Sequence, residues 1–222
     1  RRASVTPVHL HGELVAAYLL FGRVAADYQV DVVNTNVMTR IRALVDVTSL
    51  LFERWSDSDR LAQAALRDTL TGLANRLAFN AAIEDVAAES VVLFIDVDHF
   101  KAVNDDLGHD AGDQMLVEVA HRLLASCRPT DTVARLGGDE FVVLLPDTDA
   151  ANASLIARRI IRTVEQPMTI AGAERVVTVS LGLAATGVGN VGDAMLHADR
   201  AMLHAKREGR GRMAVGKDAR LA

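Results

Sequence analysis

The stretch Ala134–Asp147, "ARLGGDEFVVLLPD", sets two glycines and two acids, Asp139 and Glu140, at the mouth of an apolar run. A third acid, Asp96, ends another apolar run, "VVLFID". Taken singly, each has an ordinary role. Gly-Gly-Asp is a hairpin signal whose acids are solvated, and Asp96 ahead of "VDHF" can cap a helix. If the two runs are neighbouring strands, the three carboxylates converge on one sheet edge, where like charges are tolerable only with cations between them. Oxygen ligands alone select a hard ion such as Mg²⁺, which keeps waters and shares its shell with substrate phosphates. The chemistry indicated is nucleotide phosphoryl transfer.

Elements able to position these acids can be read around them. Asp68 to Arg76 supplies turn and cap residues, and an amphipathic helix follows from Arg76 to Ala88. Val91 to Asp96 reads as a central strand, apolar on both faces. A helical turn through Phe100 and Val103 follows, then a loop "DDLGHDAGD" and a helix from Gln114 to Ser126. Val133–Leu136 and Phe141–Leu145 are strands joined at Gly137-Gly138-Asp139-Glu140. A helix over Ala150–Glu165, a strand "RVVTVSLGLA", a helix over Gly192–Glu208 and a last strand "RMAV" complete the pattern. The fold class is α/β (α+β), with one mixed central sheet and flanking helices.

The 222 residues, half of them apolar, are enough for a sizeable core in one or two domains. A net charge of −5 argues against a general polyanion binder, so nucleic acid is not the expected partner. The single cysteine, Cys127, has no internal disulfide partner, which fits a reducing, cytoplasmic setting and disfavours a thiolate zinc site. The longest apolar run, Leu14 to Phe21, is too short to cross a bilayer. His99, His109, His121 and His204 show no ligand-like spacing and read as solvated or capping residues. Opening on Arg-Arg-Ala rather than Met, the chain reads as part of a longer protein.

From Asp68 to about Val215 the sequence resembles the GGDEF domains, whose active members are diguanylate cyclases condensing two GTP into cyclic di-GMP. The resemblance rests on "DTLTGLANRLAF", "FIDVDHFKAVNDDLGHDAGDQML", "RPTD", "RLGGDEF", "VTVSLGLA" and "ADRAMLHAKREGRGR", in the family's order and spacing. It implies a fold like the palm of nucleotidyl cyclases and polymerases, over residues 68–217, with a tail at 218–222. It implies that Asp96 and Glu140 hold two Mg²⁺ (or Mn²⁺) ions with help from the Val97 carbonyl. Asp139 is implied to be a further ligand that helps deprotonate the attacking 3′-hydroxyl. Gly137 and Gly138 would let the backbone lie close under the nucleotide. Asn104 and Asp113 match the residues that read guanine, whose N1 and N2 donors suit a carboxylate and whose absence from adenine leaves that acid unpaired.

Lys101, Lys206 and Arg210 match the family's triphosphate contacts. The last two are four residues apart and, on a helix, would face the same way. Without the resemblance, "KREGR" would read as a solvated basic helix end. Arg128 and Asp131 of "RPTD" precede Gly137 at the spacing of the family's inhibitory product site, with Arg159 as a secondary arginine. Otherwise they read as a surface pair of little consequence. Two domains must face each other for catalysis, so a homodimer is implied. The alternative is a catalytically silent GTP- or cyclic di-GMP-binding module that controls a partner domain.

Upstream, Pro7 to Val33 holds two apolar runs with His11-Gly12-Glu13 as a hairpin turn, resembling the end of a GAF-type sensory domain over residues 1–35. Residues 36–67 read as an N-terminal long helix. Ile41, Leu44, Leu51 and Trp55 form a seam of period about 3.5 around Thr48, which suits a two-stranded coiled coil.

Overall fold

The computed structural model describes residues 2–10, 13–22, 46–49, 51, 52, 54, 64–84, 90–186 and 191–216. The chain divides into two compact units, Arg1–Ala65 and Leu66–Ala222. In the first, β1 (Arg2–Leu10) and β2 (Glu13–Gly22) pair antiparallel, which is the hairpin expected around His11-Gly12-Glu13. Of the expected linker helix, residues 46–49, 51, 52 and 54 are helical, with Val47, Leu51 and Phe52 exposed. Ile41, Leu44 and Trp55 lie outside the described residues.

The second unit is built on β3 (Ser90–Val97), buried along its whole length. An uninterrupted apolar run can be satisfied only with cover on both faces, and the neighbours supply it. Around it stand β4 (Thr132–Gly137), β5 (Glu140–Pro146), β8 (Val179–Thr186) and β9 (Met213–Val215), in the order β4-β5-β3-β8-β9. Pairings are antiparallel except for the parallel β8–β9 pair, so the sheet is mixed.

Two helices cover one face, α3 (His109–Ala125) and α4 (Ala150–Val164). Their stripes Met115, Leu116, Val119, Leu123 and Ile156, Ile160, Val164 share a core with Val91, Leu93, Ile95 and Val97. The other face of β3, Val92 and Phe94, packs with Phe79 of α1 (Arg76–Glu84) and with Ala194, Ala198 and Met202 of α5 (Val191–Arg207). Alternation along the strand therefore sorts its residues between two cores. Side chains close the ends. Asp149 caps α4 by accepting from the Asn152 N–H at 2.7 Å. At the far end of α4, Arg122 of α3 donates to the carbonyls of Val164 and Pro167, both at 2.9 Å, and to that of Gln166.

Three local expectations are corrected. The stretch "DDLGHDAGD" is helical at both ends: α2 (Phe100–Leu107) runs to Gly108, and α3 starts at His109. One residue makes the break, because Gly108 has φ 86°, which costs glycine little. The strand expected over "RVVTVSLGLA" is divided. Its first residue belongs to a hairpin of β6 (Met168–Ile170) and β7 (Ala173–Arg175), and β8 starts at Val179. Ala171 and Gly172, at φ 49° and 77°, make that turn. α5 ends at Arg207, so Arg210 lies beyond the helix.

Candidate active site

The site gathers where β3 ends against the β4–β5 hairpin. Asp96 of β3 is in register with Glu140 of β5 and Ser180 of β8, and cross-strand partners project to the same face. The hairpin tip is latched to β3, since the Val97 N–H donates to the Asp139 carbonyl at 3.2 Å. Gly137 and Gly138 take φ 141° and 54°, values that a side chain would strain. A Cβ built on either would meet nothing within 4 Å. Conformation, rather than crowding by this chain, is what requires glycine there, and the space above the turn is open.

Arg135 holds the tip from behind. Its Nε and Nη2 donate to the Gly138 carbonyl at 3.0 and 2.8 Å, and its Nη1 donates to Asp68 Oδ1 at 3.0 Å. Asp68 also accepts from the Thr71 N–H at 2.9 Å and hydroxyl at 2.7 Å. Burial pushes the Asp68 carboxyl up, but Thr71 and Arg135 outweigh it and hold it below the ordinary value of 3.8. The turn at the start of this unit is thereby tied to the catalytic-type hairpin.

Asp96 is buried and pairs with Lys206 of α5, Nζ to Oδ2 at 2.6 Å. Close seating of α5 makes that reach possible: a Cβ on Gly182 of β8 would lie 1.9 Å from the Ala198 carbonyl oxygen. Burial pushes the Asp96 carboxyl up to about 6, with Asp139 and Asp98 adding to the rise and Lys206 offsetting part of it. Asp98, two residues on, was not singled out from the sequence. Its carboxylate accepts from Thr178 Oγ1 and Ser180 Oγ, both at 2.7 Å, and from the Gly211 N–H at 3.0 Å. Arg210 Nε lies 4.0 Å from it. Arg210 thus meets Lys206 at the site by a turn at φ 62°, and not by sharing a helix face as expected. The "DVD" spacing was the available signal, because alternate residues of a strand share a face.

The expected convergence of three acids is also revised. Among the described residues, no group of three or more acidic, histidine or cysteine side chains is placed to hold a metal ion. The register joins Asp96 to Glu140, while Asp139 engages β3 through its backbone carbonyl. Two carboxylates still fit a hard divalent ion that draws the rest of its shell from phosphate and water. The Lys206 ammonium, seated on Asp96, shows that a cation is accepted there.

Asn104 on α2 is half-buried, and its Oδ1 is buried with no hydrogen-bond partner. Its α3 neighbour Asp113 is exposed, as is Lys101 on the first turn of α2. On the opposite side of the hairpin, the Arg128 N–H donates to Asp131 Oδ2 at 2.7 Å, and Arg159 Nη2 donates to the Ser126 carbonyl at 2.9 Å. Both guanidinium groups border Cys127, whose thiol burial pushes up to about 12, Asp131 adding to the rise and Arg159 opposing it. The thiol is a packed, inert one.

Fold and site together define an α+β domain with a mixed sheet whose edge carries paired carboxylates, lysine and arginine. The chain belongs to the GGDEF family: the model described as diguanylate cyclase, GGDEF domain, matches residues 65–212. It is 41% identical over 173 residues to the response regulator PleD of Caulobacter vibrioides, covering 72% of this chain and 38% of that protein. To the diguanylate cyclase TpbB of Pseudomonas aeruginosa it is 41% identical over 193 residues, covering 81% of this chain and 44% of that protein. The chain therefore spans less than half the length of these curated relatives. Among solved structures, the coiled coil and GGDEF domain of DgcB from Caulobacter crescentus, in complex with c-di-GMP, aligns with a TM-score of 0.74 at 28% identity. That alignment covers 80% of this chain and 99% of DgcB's. Among the described residues, no helix is long and apolar enough to cross a membrane.

Proposed function

We propose that this chain is a diguanylate cyclase that joins two GTP molecules into cyclic di-GMP with release of pyrophosphate. The observation that carries the reading is the Asp96–Glu140 register pair at the end of the sheet, flanked by Lys206 and by the unpartnered amide of Asn104. Asp96 and Glu140, with the Val97 carbonyl, would hold the divalent ions, Mg²⁺ or Mn²⁺. When bound, such ions supply charge neutralisation at the reacting phosphate.

The chain's own residues do the rest. Asn104 and Asp113 hold the guanine edge, and the open space over Gly137 and Gly138 admits the nucleotide backbone. Lys101, Lys206 and Arg210 take the triphosphate charge, with Asp98 fixing the turn that carries Arg210. Asp139, at the hairpin tip, stands to accept the proton of the attacking 3′-hydroxyl. Catalysis on this reading is mainly positioning and electrostatic stabilisation. Each domain holds one GTP, so two copies must face each other. The 36–67 linker, read as a coiled coil, is the device for that, and the coiled coil named in the DgcB structure supports it. Arg128, Asp131 and Arg159 form the inhibitory product site.

Incubation with GTP and Mg²⁺ or Mn²⁺, followed by chromatography and mass analysis, should yield cyclic di-GMP. Absence of product at high protein concentration, with the dimer verified, refutes the reading. If GTP still binds under those conditions, the chain is the silent regulatory module instead.

A further inference from the structure

Gly112 lies in the first turns of α3, inside a helix, where glycine costs about 0.5–1 kcal/mol relative to alanine. Its backbone is ordinary for a helix, so no positive φ demands it. What demands it is a neighbour. A Cβ at 112 would fall 1.9 Å from Asn104 Oδ1, 2.9 Å from its Cγ and 3.1 Å from Phe100 Cε2. The carboxamide of Asn104 therefore fills the volume that any other residue at 112 would need. That same Oδ1 is buried and has no hydrogen-bond partner. A buried acceptor without a donor is costly, and is retained where a ligand's N–H completes it.

We propose that Gly112 determines base selectivity: its missing Cβ seats the Asn104 amide against α3 so that Oδ1 can accept from an N–H on the edge of a purine. Guanine carries N1 and N2 donors on that edge, whereas adenine lacks N1–H and the 2-amino group. Gly112 touches no substrate and acts through Asn104, as a positioning residue. The inference rests on the GTP reading of the site.

The clash at 112 is with the far end of a movable side chain, so Gly112→Ala should fold, with a melting temperature at or above wild type because helix propensity improves. The amide must then turn away. Calorimetric titration with non-hydrolysable GTP and ATP analogues, in Mg²⁺, should show GTP-analogue affinity falling about ten-fold or more while ATP-analogue affinity is unchanged. Asn104→Ala should cost about as much, and Asn104→Ala/Gly112→Ala no more than Asn104→Ala alone, because the second change acts only through the first.

Additive losses, or a Gly112→Ala variant that keeps wild-type discrimination, overturn the proposal while leaving the GTP reading intact. A wild-type protein that does not prefer the GTP analogue overturns both. If Gly112→Ala alone fails to fold and the double variant folds, the clash is located at Asn104 and the proposal is supported. If neither folds, the glycine serves another contact and the proposal fails.

Discussion

Removing the Asp98 carboxylate tests whether the arginine-bearing turn is held by one buried acid. The Asp98 side chain is fully buried and accepts three hydrogen bonds, two from hydroxyls at 2.7 Å and one from the Gly211 N–H at 3.0 Å. Hydrogen bonds to a charged group contribute about 1.5–3 kcal/mol each. The full sum is an upper bound, because the Thr178 hydroxyl is half-exposed and can turn to water, and because a buried charge is removed with its desolvation cost. A net loss of about 3 kcal/mol is expected for Asp98→Ala. For a domain of this size, each kcal/mol shifts the melting temperature by about 2–4 °C, so the expected fall is about 6–12 °C. Asp98→Asn, which keeps one carbonyl acceptor but faces a donor with its amide, should fall between wild type and alanine. Thermal denaturation followed by far-UV circular dichroism measures both. Nucleotide titration should in addition show weaker triphosphate binding, since Arg210 and Gly211 are adjacent. A melting temperature for Asp98→Ala within about 2 °C of wild type would refute the reasoning.

Gly182→Ala should destabilise the domain by about 3 kcal/mol or more, because the new Cβ meets the Ala198 oxygen at 1.9 Å and the Met202 nitrogen at 2.3 Å, both helix backbone that cannot turn aside. Thermal melts check it, and an unchanged melting temperature would count against the close seating of α5. The Asp68 carboxyl sits below its ordinary value of 3.8, so its ionised form adds stability that is present above that pH and lost as pH falls below it. The difference in melting temperature between wild type and Asp68→Asn should therefore hold steady near neutrality and shrink in acid. A difference that grows on acidification contradicts this sign. Arg128→Ala should raise steady-state cyclic di-GMP, and unchanged inhibition by added cyclic di-GMP would sink the product-site assignment.

Much of the site was legible in the sequence because its signals are local. An apolar run ending in an acid reads as a central strand, Gly-Gly-Asp-Glu reads as a hairpin tip, and the spacing of Asn104, Asp113 and Lys206 from these carries the family resemblance. The helical pattern of α4 and its Asp149 cap were likewise visible one turn at a time. Local signals also misled. "DDLGHDAGD" has the composition of a loop, yet one glycine at φ 86° lets two helices nearly abut. "AKREGR" has the spacing of a helix face, but the helix stops at Arg207 and Arg210 arrives by a turn.

The sequence by itself determined which groups are available and on which strand or helix each one sits. Only tertiary structure decided which of them meet. Asp98 and the Gly211 N–H are 113 residues apart, and Arg135 reaches Asp68 across 67. Lys206 meets Asp96 because a glycine on β8 admits the α5 backbone, and Asn104 holds an unpartnered oxygen because a glycine on α3 leaves room for it. Periodicity records which way a side chain faces along its own element. It carries no record of the distance between elements, which is set by the volumes packed between them.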